Sequence, residues 1–136
     1  MEYISKSEKE TAEIAAVIIE KYPDIHVFGL TGDLGSGKTA FVRGVAKKLG
    51  VKENITSPTF VIMKTYEAPG RHLVHIDAYR LNSQEDLFSI GFEDLVSEPK
   101  NLVFIEWPEK VFKTIPENIK LINFCYLDEN SRKIND

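Results

Sequence analysis

The eight residues Gly32-Asp33-Leu34-Gly35-Ser36-Gly37-Lys38-Thr39 fit the pattern G-x-x-x-x-G-K-[ST] without a mismatch. Chance produces such a match in roughly one of a few hundred chains of this size. The flanking sequence sharpens it. Ile25–Thr31 (IHVFGLT) is short and almost wholly apolar, as expected of a strand covered on both faces. Lys38–Leu49 reads as a helix closed by Gly50. A strand, a glycine-rich turn and a helix in that order aim successive backbone N–H groups at one point, where the helix adds its positive dipole end. Phosphate suits that point. Residues Asp33, Leu34, Gly35, Ser36, Gly37, Lys38, Thr39 and Ala40 would surround it. Lys38 would reach the β- and γ-phosphates of a nucleotide, and the Thr39 hydroxyl would ligate Mg²⁺. The plainer alternative is a turn carrying a solvated lysine.

The rest of the chain supplies one domain, residues 1–136, with no internal repeat and no Gly/Ser linker. Ser5 or Ser7 can cap a first helix, with Glu8 or Glu10 three residues on, and Pro23 ends it. After the phosphate loop and its helix come a polar loop (Val51–Pro58) and a strand-like Phe60–Tyr66. A turn at Pro69-Gly70 leads to a second strand, His72–Ala78, giving a hairpin. Ser83–Leu87 and Phe92–Val96 carry short helical signals. Leu102–Glu106 is another apolar run, stopped by Trp107-Pro108, and Ile119–Leu127 is the last strand, followed by a polar tail. The expected fold is α/β: a single P-loop NTPase domain with a mixed sheet flanked by helices.

Two carboxylates close apolar strands: Asp77 after Leu73-Val74-His75-Ile76, and Glu106 after Leu102-Val103-Phe104-Ile105. The carboxyl ends of such strands open onto the ligand face of an open α/β sheet. There a carboxylate can hold Mg²⁺ or orient an attacking water. Glu106 is assigned to Mg²⁺ and Asp77 to water, with Asp77 kept as a second metal candidate. The alternative is a pair of strand-end carboxylates facing solvent. Hydroxyls at Thr56, Ser57 and Thr59 lie where related nucleotidases sense the γ-phosphate; the bland reading is a turn shaped by Pro58.

Other classes fit less well. No N-K-x-D guanine reader and no D-x-x-G switch occur, which argues against a Ras-like GTPase. A small-molecule kinase needs a substrate insert and an arginine-bearing lid, for which too few residues remain after the hairpin. A third class is a nucleotide-gated binding module whose output is association. Seventeen basic against twenty-one acidic side chains give a net charge of −4, which argues against binding nucleic acid over the whole surface. No DNA and no membrane contact is expected. The acidic residues Glu10, Glu13 and Glu20 make the stretch between Glu8 and Lys21 an amphipathic helix, and their density does not suit a targeting segment. The single cysteine, Cys125, lies in an apolar run and reads as a buried structural thiol. One cysteine and no long apolar span indicate the cytoplasm.

T-G-D-L-G-S-G-K-T, then S-P-T-F (Ser57–Phe60), H-I-D-A-Y-R-L (His75–Leu81) and I-E-W-P-E (Ile105–Glu109) together resemble the bacterial TsaE family, also called YjeE. The likeness runs from Glu10-Thr11 to about Arg132. It implies an ATPase, using ATP and Mg²⁺, that serves formation of N6-threonylcarbamoyladenosine at position 37 of tRNAs reading codons that begin with A. It implies as partners the TsaB–TsaD heterodimer, which carries out the transfer, and hence only an indirect relation to tRNA. It implies further that the ATP cycle resets that assembly between turnovers. By motif match, Lys38 and Thr39 take the phosphate and metal roles, Thr59 the switch role, and Asp77 and Glu106 become the carboxylates required for hydrolysis. The resemblance puts Trp107 close to the nucleotide, with packing on the core as the alternative. It also offers Thr11 for the base or ribose and Arg132, in the tail, as a nucleotide contact. His75 matches an H-x-D-x-Y pattern, although a packed strand histidine is the preferred role. No arginine finger is evident, so slow hydrolysis alone and faster hydrolysis with the partner are expected.

Overall fold

The computed structural model describes Met1–Asp136. Its elements are β1 (Glu2–Ser5), α1 (Glu8–Lys21), β2 (Val27–Thr31), α2 (Lys38–Leu49), β3 (Met63–Ala68), β4 (Arg71–Asp77), α3 (Gln84–Ser89), α4 (Phe92–Ser97), β5 (Asn101–Glu106), β6 (Ile119–Tyr126) and β7 (Arg132–Asn135). The seven strands form one mixed sheet in the order β1-β7-β6-β2-β5-β4-β3. Its four inner strands β6, β2, β5 and β4 run parallel, and β3, β7 and β1 add antiparallel edges. The expected mixed α/β sheet flanked by helices is what forms.

Alternation along the inner strands divides the core into two layers. Phe28, Leu30, Leu73, Phe104 and Ile122 point to the face covered by α1 and α2. Val27, Val74, Ile76, Val103 and Ile105 point to the other face, with Leu87 of α3 and Phe92 of α4. By the same alternation His75, Asp77 and Glu106 belong to the α1/α2 side, the side on which α2 leaves the phosphate loop. Phe28 and Phe104 stack at 5.3 Å between ring centroids, and Phe41 of α2 meets Phe104 edge-on at 6.2 Å. These contacts fix α2 over the sheet.

Helix α1 is capped by Ser7, whose hydroxyl accepts from the Glu10 amide at 3.0 Å, while the Glu10 carboxylate accepts from the Lys6 amide at 2.6 Å. It packs on α2 through a glycine: a Cβ added at Gly44 would lie 2.5 Å from the Cα of Ala12. That neighbour is backbone and cannot rotate away. Gly44→Val should therefore push the helices apart and cost about 2 kcal/mol of stability, despite the better helix propensity of valine. An unchanged urea midpoint would show that α1 shifts freely.

Three local expectations are corrected. The polar tail is a strand, β7, paired from Glu2↔Asn135 to Ser5↔Arg132 with β1, for which the sequence offers no expectation. The strand expected from Phe60 begins at Met63, because the amides of Val61 and Ile62 both turn back to the Pro58 carbonyl. Cys125 is exposed. Ile122 and Phe124 are the buried residues of that part of β6, and alternation sends Cys125 outward. No helix is long and apolar enough to cross a membrane.

Candidate nucleotide site

The loop Gly32–Gly37 leaves the carboxyl end of β2, where β4 and β5 end beside it. Parallel register pairs Leu30 with Glu106 and Glu106 with Asp77, so both carboxylates stand next to the loop. Both are 5% exposed. Together they bound a cleft of about 250 Å³, which Leu34, Gly35, Gly37, Lys38, Thr39 and Ala40 border from the loop side. Thr59, Asp77, Glu106, Trp107 and Arg132 border it from the others.

Not every predicted residue reaches the cleft. Asp33 and Ser36 belong to the loop turn, where the Ser36 amide donates to the Asp33 carbonyl at 3.1 Å, and neither borders the cleft. Thr11 is fully buried in α1. Its hydroxyl lies 2.7 Å from that of Ser5 and donates to the Ser7 carbonyl at 3.1 Å, so in this structure it serves the helix start rather than the cleft. Glu8 and Arg43 do border it, joined by a 2.7 Å ion pair. Only the packing of α1 on α2 brings those two together, and nothing in their spacing announces it.

Lys38 is 5% exposed, and its ammonium has neutral partners. It donates to the Gly32 carbonyl and lies 3.8 Å from the centroid of the Trp107 ring. Burial pulls its pKa below the ordinary lysine value, while the charges of Glu106 and Asp77 pull the other way. Trp107 holds this position with a left-handed backbone, φ 60°, which is uncommon for a residue with a side chain. Its amide donates to the Leu30 carbonyl at 3.2 Å, and its ring meets Tyr79 edge-on at 5.1 Å. Arg132 reaches the cleft from β7 and lies against Gly37. That glycine has φ 103°, and a Cβ there would come within 2.7 Å of the Arg132 side chain. The Arg132 Nε is buried without a partner. Two cations with no anionic partner thus face one small cleft.

The carboxylates are held differently. Asp77 Oδ2 accepts from the Thr59 hydroxyl at 2.9 Å, Oδ1 accepts from the Tyr79 amide at 2.9 Å, and the Asp77 amide donates to the Ile62 carbonyl at 2.7 Å. The loop Thr56–Ile62 is therefore fastened to Asp77. It ends in a strained residue, Ile62 with φ 70°. Glu106 instead meets the Nε2 of His75 at 2.5 Å.

No cluster of three or more His, Cys, Asp or Glu side chains is arranged to hold an ion. The Thr39 hydroxyl and one or two carboxylates are a donor set that Mg²⁺ completes with water and substrate phosphates. The residues fit an ion that arrives with its nucleotide.

A glycine-rich loop between a central parallel strand and a helix, with its lysine, its hydroxyl and two flanking carboxylates, defines a P-loop nucleotide-binding protein. Residues 5–134 match the family model described as threonylcarbamoyl adenosine biosynthesis protein TsaE. The chain belongs to the TsaE family, whose members serve tRNA threonylcarbamoyladenosine biosynthesis. The TsaE protein of Treponema pallidum is 39% identical over 135 residues, covering 98% of each chain. That of Rickettsia felis is 36% identical over 130 residues, 95% of this chain and 75% of the relative. Among solved structures, the crystal structure of Bacillus subtilus YdiB superposes with a TM-score of 0.77 at 25% identity, covering 98% of this chain and 82% of that one.

Proposed function

We propose that this protein is a Mg²⁺-dependent ATPase whose cycle of binding and hydrolysis resets the TsaB–TsaD assembly that modifies adenosine 37 of tRNA. The observation that carries the reading is the buried pair Asp77 and Glu106 beside the unpaired cations Lys38 and Arg132. The cations match a triphosphate, and the carboxylates match the metal and water that hydrolysis needs. Mg²⁺, when bound, neutralises developing charge on the phosphates.

In the reaction a water oxygen bonds to the γ-phosphorus, the bond from phosphorus to the β,γ-bridging oxygen breaks, and ADP leaves with that electron pair. The water's protons pass to phosphate and solvent. Lys38 and the loop amides hold the phosphates in line. Glu106 and Thr39 offer the oxygens for the ion, and Asp77 orients water while holding the Thr59 loop. No side chain is altered.

Phosphate release from ATP with Mg²⁺, measured with and without TsaB–TsaD, tests this. Slow turnover alone and roughly tenfold or greater stimulation by the pair are expected, because a trans contribution to a phosphoryl-transfer site is worth orders of magnitude. Turnover that is fast and indifferent to the pair would contradict partner-driven hydrolysis. Labelled γ-phosphate recovered on an acceptor instead of in solution would identify a kinase.

One observation favours a second reading, a nucleotide gate. Asp77 is already committed on both oxygens to the Thr59 loop and Tyr79, which suits a device that reports occupancy. If so, a Glu106→Ala protein that still binds ATP would support tRNA modification as well as the parent.

A further inference from the structure

His75 sits at zero exposure in β4, among the aromatic and aliphatic side chains under α2, where an apolar residue would pack without polar cost. Its Nε2 lies 2.5 Å from Glu106 Oε2, and its Nδ1 is sealed from solvent with no partner. With the proton on Nε2 the ring donates to the carboxylate, and Nδ1 is left as a bare acceptor. The opposite tautomer would bury an N–H with nothing to bond and set two lone-pair atoms against each other. The contact is diagonal across the parallel pair, since the register partner of His75 is Phe104, and it joins two residues on the same face. Glu106 Oε1, by contrast, has no hydrogen-bond partner in the chain and is not among the atoms sealed from solvent, and Glu106 borders the cleft.

We infer that His75 is a positioning residue: its Nε2–H fixes one oxygen of Glu106 and so presents the other to the metal and water of the nucleotide site. This rests on the ATPase reading for what Glu106 does, but the orientation of Glu106 by His75 can be tested independently of it. Asp77 is held differently: no side chain takes one oxygen to free the other, and each oxygen accepts a single bond, from the Thr59 hydroxyl and from the Tyr79 amide. The two carboxylates are thereby given different tasks by their neighbours. An outer partner of a metal-binding side chain is typically worth 10–100-fold in affinity or activity.

The test compares the parent with His75→Leu, His75→Gln, Glu106→Gln and the double variant His75→Leu/Glu106→Gln. The first readout is the Mg²⁺ concentration that half-maximally tightens ATP binding, followed by the fluorescence of Trp107, the only tryptophan. The second is the division between kcat and KM. His75→Leu should raise the Mg²⁺ half-point about tenfold and lower kcat 10–100-fold, with KM within about threefold. His75→Gln, whose amide can donate from a similar reach, should recover most of both. In the Glu106→Gln background His75→Leu should add nothing, because with the glutamine oxygen held by His75 the group presented to the cleft is an amide NH₂, which cannot hold a cation however it is oriented. An unmoved half-point, equal damage from Leu and Gln, or simple additivity would each overturn the proposal. Should the parent prove unable to hydrolyse ATP, the functional reading falls while the Mg²⁺ half-point still decides the role of His75. If His75→Leu does not fold, ¹⁵N NMR of the imidazole in the parent decides. A proton on Nε2 whose signal moves in Glu106→Gln is expected, and a proton on Nδ1 would overturn it.

Discussion

Lys38→Met should lower ATP affinity on the order of 100-fold and leave the free protein at least as stable as its parent. The first part follows from charge. Lys38 brings the loop's only ammonium to the phosphates, and charge-assisted hydrogen bonds of this kind contribute about 1.5–3 kcal/mol each. The second part follows from burial. In the free protein the ammonium is withdrawn from water and has only the Gly32 carbonyl and the Trp107 ring for partners, so its pKa falls below the ordinary lysine value. The folded state then binds that proton less readily than the unfolded chain. This cost is full below the lowered value and fades as pH rises through it towards the ordinary lysine value. Methionine fills the same space without the charge and removes the cost. Calorimetric binding and a thermal melt check both halves, and a variant that binds poorly because it has unfolded would contradict the argument.

Glu106→Gln should behave differently, keeping ATP binding within a few-fold while hydrolysis falls about 10²–10³-fold. Glutamine preserves the volume of the side chain and leaves an oxygen able to accept from His75, so the strand end should not collapse. What it loses is the negative charge on the oxygen that the cleft can reach. Single-turnover measurements at saturating ATP separate the two effects. Parallel loss of binding and hydrolysis would mean that Glu106 serves mainly to shape the pocket.

Much of this site is legible in the sequence because the phosphate loop is local. Eight consecutive residues carry its chemistry, and the strand before and helix after it announce themselves by apolar content. The inner strands are equally plain, since burial on both faces writes an apolar run at Leu102–Ile105 and one broken only by His75 at Leu73–Ile76. The edge strands are not. Glu2, Arg132 and Lys133 make β1 and β7 look like polar ends, and only their pairing with each other makes them strands. Cys125 misleads for the opposite reason: the mostly apolar Leu121–Leu127 conceals an alternation in which Ile122 and Phe124 are buried while Asn123 and Cys125 are exposed. The partnership of His75 with Glu106, and that of Glu8 with Arg43, depend on sheet register and helix packing between segments about 30 residues or more apart. Spacing along the chain holds no trace of either.

Strand β2 carries the phosphate loop, yet its two neighbours, β5 and β6, are both made of much later chain. During synthesis, a nascent polypeptide that has emerged only as far as β4 contains the entire glycine motif and Asp77 but has no strand to hold β2 on either side. Pairing across such distances closes late and slowly, after the local helices have formed. The ability to bind nucleotide should therefore be absent from the growing chain until β5 slots between β2 and β4, the same event that delivers Glu106. A translation pause placed before that insertion would expose two unpaired apolar strand edges to other nascent chains, and ATP could do nothing to rescue them.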